Sequence, residues 1–594
     1  MPISIPIGFG ISSILFFFCS LNLSFSSFHL ILHSCGLTLV GTMIHIKKNK
    51  FIVKFSKPFK RDLIFNIVSL IVAFFISWNA YFPKIGVMNI AYASDLPEEI
   101  GIMNSFYHGV NSGFVNIFKI RNPICYKCRS YTRWLTALHS AMLKVGFSSD
   151  RIALTIPSLL MIYSICSLMM YLSNVFIKGW LIPILTMFLF LFLGGFGMVN
   201  WLNSKERHNM NLDFVFDFGS KQTQWSSPIL HYILGLRPSQ MSLCLILSLL
   251  FVLSKHDIEY NEFIFLGIIL GILPAVQHQV FICAIIYIIS YFLIKSLYFQ
   301  EKNLLEKQKQ FITLIISFSI VGVIPLIQYI PSSNRLFPIH KASFSKRVML
   351  EGSYFPFIRT WFDSLGFFPL ITLSIGLFFI QKDLLLLYIP SLIIFLISNN
   401  FIFQGYSRQN IIIFYPFWIT IASIVYMKTF VSITKLTKNE EIKGIIIGFL
   451  ILLYISSIGS SILGYYRLRN STKYVFTEEQ YQIAKKISSL TPKKSVFISS
   501  NENYDVISTL TGKQSYLQNS YLTYINDFKI DQREQEITSL LSHSSTTTIL
   551  PKVKYILNQN DISPSRQLLN YSEEYWNVTY QNPTKSVTLF SRKT

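Results

Sequence analysis

The sequence predicts an all-α polytopic transmembrane body of about 11–13 helices, with a small C-terminal α/β domain outside the membrane. Three observations lead there. Apolar runs near 62–82, 153–176, 179–199, 229–253, 310–330, 361–380, 384–402, 410–430 and 444–466 approach the ~20 residues that a helix needs to cross a bilayer. Lysines cluster between some of these runs, at 47–61 (KKNKFIVKFSKPFKR), 295–310 and 428–443, and the positive-inside rule places all three clusters in the cytoplasm. Composition agrees: 51% of the 594 residues are hydrophobic and 53 are Phe, and the mean hydropathy is +0.45, too apolar for a soluble chain.

Residues 5–45 hold two apolar stretches broken by LNLSFSS. They read either as a signal or signal-anchor without a basic n-region, or as two short helices. With the basic linker they make a first unit, 1–61; the polytopic body is 62–467. The run 262–298 is too long for one crossing and reads as a tight hairpin turning near ILPAVQHQ. With that hairpin, loops 83–150, 200–227, 331–360 and 403–409 and the tail all face outward. In the tail, 468–594, apolar runs shorten to strand length (SVFIS, VKYIL) and alternate with helical stretches such as TEEQYQIAKKISSL and DQREQEITSLLSH, the pattern of a small α/β domain. Three N-x-S/T triplets lie there, at Asn470, Asn570 and Asn577, and they fit a lumenal tail that carries glycans. The membrane is then the endoplasmic reticulum in a eukaryote; an inner or plasma membrane has the same topology in a bacterium.

A net charge of +23 raises nucleic acid as a partner, but no basic soluble domain with a stacking platform is visible. The basic excess sits partly in cytoplasmic loops, where it sets topology and meets anionic membrane lipid. Nucleic acid is not expected. Cys19, Cys35, Cys166, Cys244 and Cys283 fall in apolar runs as small packing residues. Cys125 and Cys128 (CYKC) sit in an outward loop, where a local disulfide is favoured over half a zinc site.

The outward loops hold most of the candidate chemistry. Loop 83–150 carries Asp95, Glu98 and Glu99 soon after a membrane exit. A carboxylate held just outside the bilayer can act as general base on an acceptor hydroxyl; the plain alternative is a solvated loop. His108 adds a ligand type for a metal, which the spacing does not favour. Further on, Trp134, Leu135, Leu138 and Met142 recur at helical spacing, which predicts an amphipathic helix lying on the membrane, with His139 structural. Basic residues at the outer boundary are not explained by topology: Arg237, Arg335, His340, Lys341, Lys346, Arg347, Arg359 and Arg408. They suit a lipid-linked phosphate, through charge-assisted and often bidentate hydrogen bonds, or they snorkel to headgroups. His278 lies at the expected hairpin turn, where it either lines a cavity or has no catalytic part.

In this order the features resemble polytopic glycosyltransferases of the GT-C class, the type that uses polyprenyl-phosphate sugars, in a branch with a C-terminal outward domain. Asp95 and Pro97 followed by SFYHGVN (Ser105 to Asn111) resemble the first-loop motif. GGFGMVNWL (Gly194, Gly195, Gly197) and then WSSPILHYILGLRPSQMSL come next, with Arg237, Pro238, Ser239 and Gln240 where Pro-Gln-Arg is usual. GIILGILPAVQHQ resembles a Gly-rich helix leading to His-x-His, with His278 kept; QGYSRQNIIIFYPFW resembles an Asp-Asn-x-Lys helix start, with Asn410 kept. In the tail, SVFISSNENYDVISTLTGKQSY keeps Val506 and Gly512, lacks the usual His, and has Lys513 in place of Arg. The resemblance covers about 90 to 560 through loose motifs.

The resemblance implies that Asp95 is a catalytic base, beside Glu98 and Glu99. It implies a lipid-linked sugar donor whose phosphate meets Arg237, Arg335, Lys341 and Arg408, with His108, His278, Gln240 and Asn410 in or near the cavity. A departing monophosphate needs no metal, so neither metal nor cofactor is expected; the acceptor is open. Hexosyl or mannosyl transfer with inversion is the expected reaction. Two rivals stand beside it. A membrane scaffold or assembly factor that kept the fold would look like this where motif residues are lost. A transporter would carry ionisable residues inside its helices and an internal repeat, whereas the apolar runs are almost free of charge and show no repeat.

Overall fold

The computed structural model describes residues 2–20, 30–38 except 32, 59–77, 87–89, 96–112, 120–126 except 125, 134–194 except 148, 227–299 except 235–236 and 256, 304–327, 361, 365–400, 410–499 except 471 and 475, 505–517, 533–537 except 534, 553–559, 576–581 and 587–592. Helices α1 (Ser4–Ser20) and α2 (Phe59–Ser77) come first, then strand β1 (Val87–Asn89). Next are α3 (Leu96–Tyr107), α4 (Trp134–Phe147), α5 (Asp150–Phe176) and α6 (Leu181–Phe192). The body continues through α7 (Arg237–Leu253), α8 (Tyr260–Val276), α9 (His278–Phe299), α10 (Leu304–Ile327), α11 (Phe368–Leu373), α12 (Lys382–Asn400), α13 (Asn410–Ile433) and α14 (Glu440–Asn470).

Among the described residues five stretches are long and apolar enough to cross a membrane: Asp150–Phe176, His278–Leu297, Gln308–Leu326, Tyr415–Ile433 and Glu440–Tyr466. The chain is an integral membrane protein. Helix α5 is capped by Ser149, whose hydroxyl accepts from the Ile152 N–H, and Asp150 in its first turn suits the positive helix end. Burial sorts the crossings: 72% of the α5 window and 78% of the α13 window are covered by protein, against 18% for α14, so α5 and α13 form the centre and α14 the rim. On α2, Leu63, Ile67, Leu70, Ile71 and Phe74 are exposed, an apolar stripe at helical spacing that suits lipid contact. The most extensive helix pair is α8 with α10. It closes on small residues: a β-carbon on Gly271 would stand 2.8 Å from the Gly322 nitrogen, so only glycine admits the two backbones at this separation.

Several expectations need correction. The 229–253 run is not one continuous α-helix but a π-helical turn, Ile229–Ile233, followed by α7. Among the described residues the 361–380 run is interrupted: Trp361 and Leu365 are helical, then Gly366 has φ +58°, a conformation that glycine tolerates and that stops a helix, and α11 and a 3-10 turn, Ile375–Phe378, follow. The long run 262–298 does divide where expected, at Gln277, whose φ −158° and ψ 105° are extended. Its halves find different neighbours, α8 against α10 and α9 against α12. Helix α4 does not lie on a surface. Eleven residues are buried, including Thr136, His139, Ser140 and Lys144, because its polar side is matched by partners on α3, α5 and α7. Cys35 is exposed, whereas Cys166, Cys244 and Cys283 are buried; Cys125 and Cys128 lie outside the described residues.

The tail folds as an α/β unit. Helix α15 (Glu478–Leu490) starts at a capping box made by Thr477 and Gln480. Strands β3 (Val496–Ile498), β4 (Gln514–Ser515), β5 (Tyr555–Gln559), β6 (Trp576–Gln581) and β7 (Val587–Arg592) form a sheet of order β4-β3-β5-β7-β6. The β4-β3-β5 side is parallel and the β5-β7-β6 side antiparallel. Phe476, Ile483 and Ile487 pack with Phe497, Leu557 and Leu589 to make its core. Two contacts tie this unit to the early chain. Strand β1 pairs antiparallel with β2 (Thr472–Tyr474), just past α14. The end of α3 packs against the π-helical turn Val506–Leu510 and the residues after it.

Candidate functional site

Helix α3 opens with Leu96, Pro97, Glu98 and Glu99. Proline near the first position and acids in the first turn both suit a helix start. Successive residues point about 100° apart on a helix, so the two acids diverge. Glu98 accepts a hydrogen bond from the Asn122 amide at 2.8 Å. Glu99 turns inward, 6% exposed, and meets Arg237, 1% exposed, with Nη1 and Oε1 3.1 Å apart.

Arg237 is the first residue of α7, where a cation opposes the helix macrodipole; Glu99 offsets that. The same Nη1 donates to the Ser140 hydroxyl on α4. Among the described residues, Nε and Nη2 of Arg237 have no hydrogen-bond partner. His139, beside Ser140, packs its ring on Phe9 of α1 at 4.1 Å. Burial, and then the nearby Arg237, hold the His139 imidazole down to about 3, so it is neutral. Three helices thus converge on one buried ion pair. Pairs of this kind are close to neutral in net stability, yet removal of one partner leaves a buried charge uncompensated.

A second polar cluster lies one to two turns further along α3. Lys144 Nζ reaches Asp150 Oδ1 at 2.6 Å and donates to Asn104 Oδ1 at 2.6 Å; it also stands 4.8 Å from the Tyr107 ring centroid. Asn104 in turn donates to the Thr509 carbonyl at 2.8 Å. His108 Nε2 meets the Leu510 carbonyl at 3.2 Å, and burial, followed by Lys144, pulls its imidazole down to about 4. The His108 site therefore favours the neutral ring. The unfolded chain takes up a proton near the ordinary value of 6.5, while the folded chain does so only near 4. Stability from this residue is thus complete above pH 6.5 and is lost as pH falls toward 4. Thermal melts in detergent from pH 7 to 4 should fall less steeply for His108→Asn than for the wild-type chain; parallel curves would refute this.

The motif stretch from Ser105 to Asn111 serves this junction. Asn111 donates to the Ser105 hydroxyl at 2.7 Å and to the Arg121 carbonyl at 2.8 Å, and accepts from the Arg121 N–H at 3.0 Å. Gly109 meets Gly512 backbone to backbone, and the Val110 N–H donates to the Gly512 carbonyl at 3.0 Å. Two motif segments from opposite ends of the chain thus dock on each other. Lys513, in the position where arginine is usual, is buried and donates to the carbonyls of Thr491 and Ile487 at 2.8 and 3.3 Å. It closes the C-terminal end of α15, where a cation suits the helix dipole.

Other expected residues are spread out. Gln240 donates to the Ile233 carbonyl at 2.6 Å and pins the π-helical turn ahead of α7. Ser242 donates to Gln277 at 2.9 Å, which brings the start of α7 to the α8–α9 break, and half-buried His278 begins α9 there. Asn410 begins α13 and Asn470 ends α14, their side chains outside the described set. Asp95, Arg335, Lys341, Arg408 and Asn570 lie outside the described residues. Asn577 is exposed on β6. Among the described residues no group of three or more His, Cys, Asp or Glu side chains comes together. Ser140, Lys144, Asn104 and Asp150 were not singled out from sequence. Only the proximity of Asn104 to the Ser105–Asn111 motif could have signalled one of them.

No protein-family model matches the chain, and no curated protein matches it. Among solved structures it is similar to the apo oligosaccharyltransferase of Archaeoglobus fulgidus, at 11% identity and TM-score 0.48 over 91% of this chain and 75% of that one. It is similar also to ArnT from Cupriavidus metallidurans bound to undecaprenyl phosphate, at 10% identity and TM-score 0.46 over 90% and 98% of the two chains. A third is archaeal AglB from Archaeoglobus fulgidus with an inhibitory peptide and a dolichol-phosphate, at 11% identity and TM-score 0.42 over 89% and 74%.

Proposed function

We propose that this chain is a membrane glycosyltransferase that moves a sugar from a polyprenyl- or dolichyl-phosphate donor to an acceptor hydroxyl on the outward face. The observation that carries the reading is the buried Glu99–Arg237 pair. Charged side chains are almost never fully buried unless paired, and such a pair is kept at a desolvation cost that stability alone does not repay. In the chain Asp95 directly precedes Leu96, the first residue of α3.

In this mechanism Asp95 takes the acceptor proton while the acceptor oxygen attacks the anomeric carbon. The bond from that carbon to the phosphate oxygen breaks on the opposite side, which inverts configuration. The departing phosphate gains charge, and cations placed beforehand around it lower the barrier; Arg335, Lys341, Arg408 and Arg237, through the Nε and Nη2 that have no hydrogen-bond partner among the described residues, are the groups assigned to that task. Glu99 holds the Arg237 guanidinium in one orientation. The tail caps the cavity or meets the acceptor, on the lumenal side in a eukaryotic cell.

The decisive measurement is transfer from radiolabelled polyprenyl-phosphate sugars, mannosyl and other hexosyl donors included, by purified protein in nanodiscs. Asp95→Asn should fold normally and lose roughly 100-fold or more of the rate, as expected for a removed general base. Full activity in that variant would remove Asp95 from the mechanism. A scaffold or assembly role is the second reading, favoured by Lys513 being occupied by internal backbone partners. Silence with every donor over a broad set of acceptors would put it first.

A further inference from the structure

The tail sheet has two edges, and they are treated differently. Beyond β4, the chain from 123 to 126 lies alongside: the Ser515 N–H donates to the Pro123 carbonyl at 2.9 Å and the Tyr126 N–H to the Tyr516 carbonyl at 3.4 Å. That edge is covered. At the other end, β6 pairs with β7 on one side, and among the described residues no strand lies on its other side. An open edge offers unpaired backbone groups to any other strand, and native proteins rarely leave one undefended.

Strand β6 also breaks the alternation expected of a half-buried strand. Trp576 is buried, but Asn577, Val578 and Thr579 are all exposed, Val578 to 60%. The register explains it: Val578 pairs with Phe590 and Tyr580 with Leu589, so Thr579 is an extra residue at an irregularity. Such a bulge turns side chains out of the pleat. The three residues presented are Asn-Val-Thr, the acceptor triplet for N-linked glycosylation. The competing triplets are less well presented. Asn470 is the last helical residue of α14, and Thr472 of its triplet is paired with Asn89; Asn570 lies outside the described residues.

We propose that Asn577 carries an N-linked glycan and that this glycan covers the open β6 edge. The donor is a lipid-pyrophosphate-linked oligosaccharide used by a transferase of the host cell. The Asn577 amide nitrogen forms a bond to the anomeric carbon of the first sugar, the carbon–oxygen bond to the pyrophosphate breaks, and the amide gives up one proton. The proposal rests on the lumenal placement of the tail given above.

The test uses the full-length chain synthesised with endoplasmic-reticulum microsomes and treated with endoglycosidase H. The chain should lose one glycan step in Asn577→Gln and the same step in Thr579→Ala. Lys493→Asn separates the two ideas, since it completes an Asn-Lys-Ser triplet in an exposed turn of the same domain. A step gained by Lys493→Asn with none at Asn577 overturns the proposal and leaves the topology standing. No step in either overturns both. For the edge, protein freed of glycan should associate at concentrations where the glycosylated chain is monodisperse. Unchanged sedimentation would refute the covering role.

Discussion

Gly512→Ala is expected to detach the tail from helix α3. Gly512 has φ +59°, a left-handed conformation that costs an L-residue about 1–2 kcal/mol. Its missing β-carbon is the larger matter: placed ideally, it would fall 2.6 Å from the Ser105 Cα and nearer still to Ser105 N and Asn104 C. These are backbone atoms of α3, which cannot swing aside as a side chain would. The surfaces must part, and the Val110–Gly512, Asn104–Thr509 and His108–Leu510 hydrogen bonds part with them. At ~0.5–1.5 kcal/mol net for each such bond, with the conformational strain, the loss is about 3–6 kcal/mol. Gly109→Ala should behave alike, since its β-carbon would stand 2.5 Å from the Gly512 carbonyl carbon. Gly444→Ala is the control, with nothing within 4 Å of the added atom. The readout is limited proteolysis of the tail together with a thermal melt in detergent. Wild-type resistance and melting in Gly512→Ala would show that the two backbones are not locked together.

The second large effect is at the buried ion pair. Glu99→Ala leaves a guanidinium enclosed without its counter-ion, and Arg237→Ala leaves a carboxylate in the same state; each should cost about 3–5 kcal/mol. Joining Glu99→Met with Arg237→Met removes both charges and keeps volume. The double variant should be at least as stable as the better single one, because paired burial roughly breaks even against an apolar replacement. It should also lose sugar transfer while it stays folded, and this separates a structural loss from a functional one. Arg237→Lys should not restore transfer, since an ammonium cannot reproduce the planar fork that reaches Glu99 and Ser140 together. A cycle of melts and rates over these variants checks each statement. Purely additive stability losses would mean that the two side chains do not interact.

What sequence could reveal here depended on the range of the physics. The crossings α5, α13 and α14 were plain because an apolar window is a local property. Strands β3 and β5 and helix α15 are legible for the same reason, as short apolar runs alternating with a polar helical stretch. Helix α4 reads as a surface helix from sequence, since Ser140 and Lys144 look like a solvated face until Arg237, Asp150 and Asn104 arrive from other elements. The pairing of Glu99 with Arg237 was hidden likewise. Each was chosen as a site residue, but in separate roles, and no spacing rule joins positions on α3 and α7. The Ser105–Asn111 and Val506–Lys513 motifs were recognisable as patterns, while their mutual docking is a long-range fact.

That docking fixes an order of events in the life of the molecule. Asn104 and Thr509 are separated by 405 positions, and strand β1 waits for residues 472–474. Since synthesis runs from the amino terminus, the ribosome has delivered nearly every membrane helix before the first loop can find its seat. Until then Asn104, His108 and the Gly109 backbone stand without their final partners, and long-range closure of this kind is intrinsically slow. A chain cut short anywhere before Gly512 lacks the backbone seat that Gly109 and Val110 require.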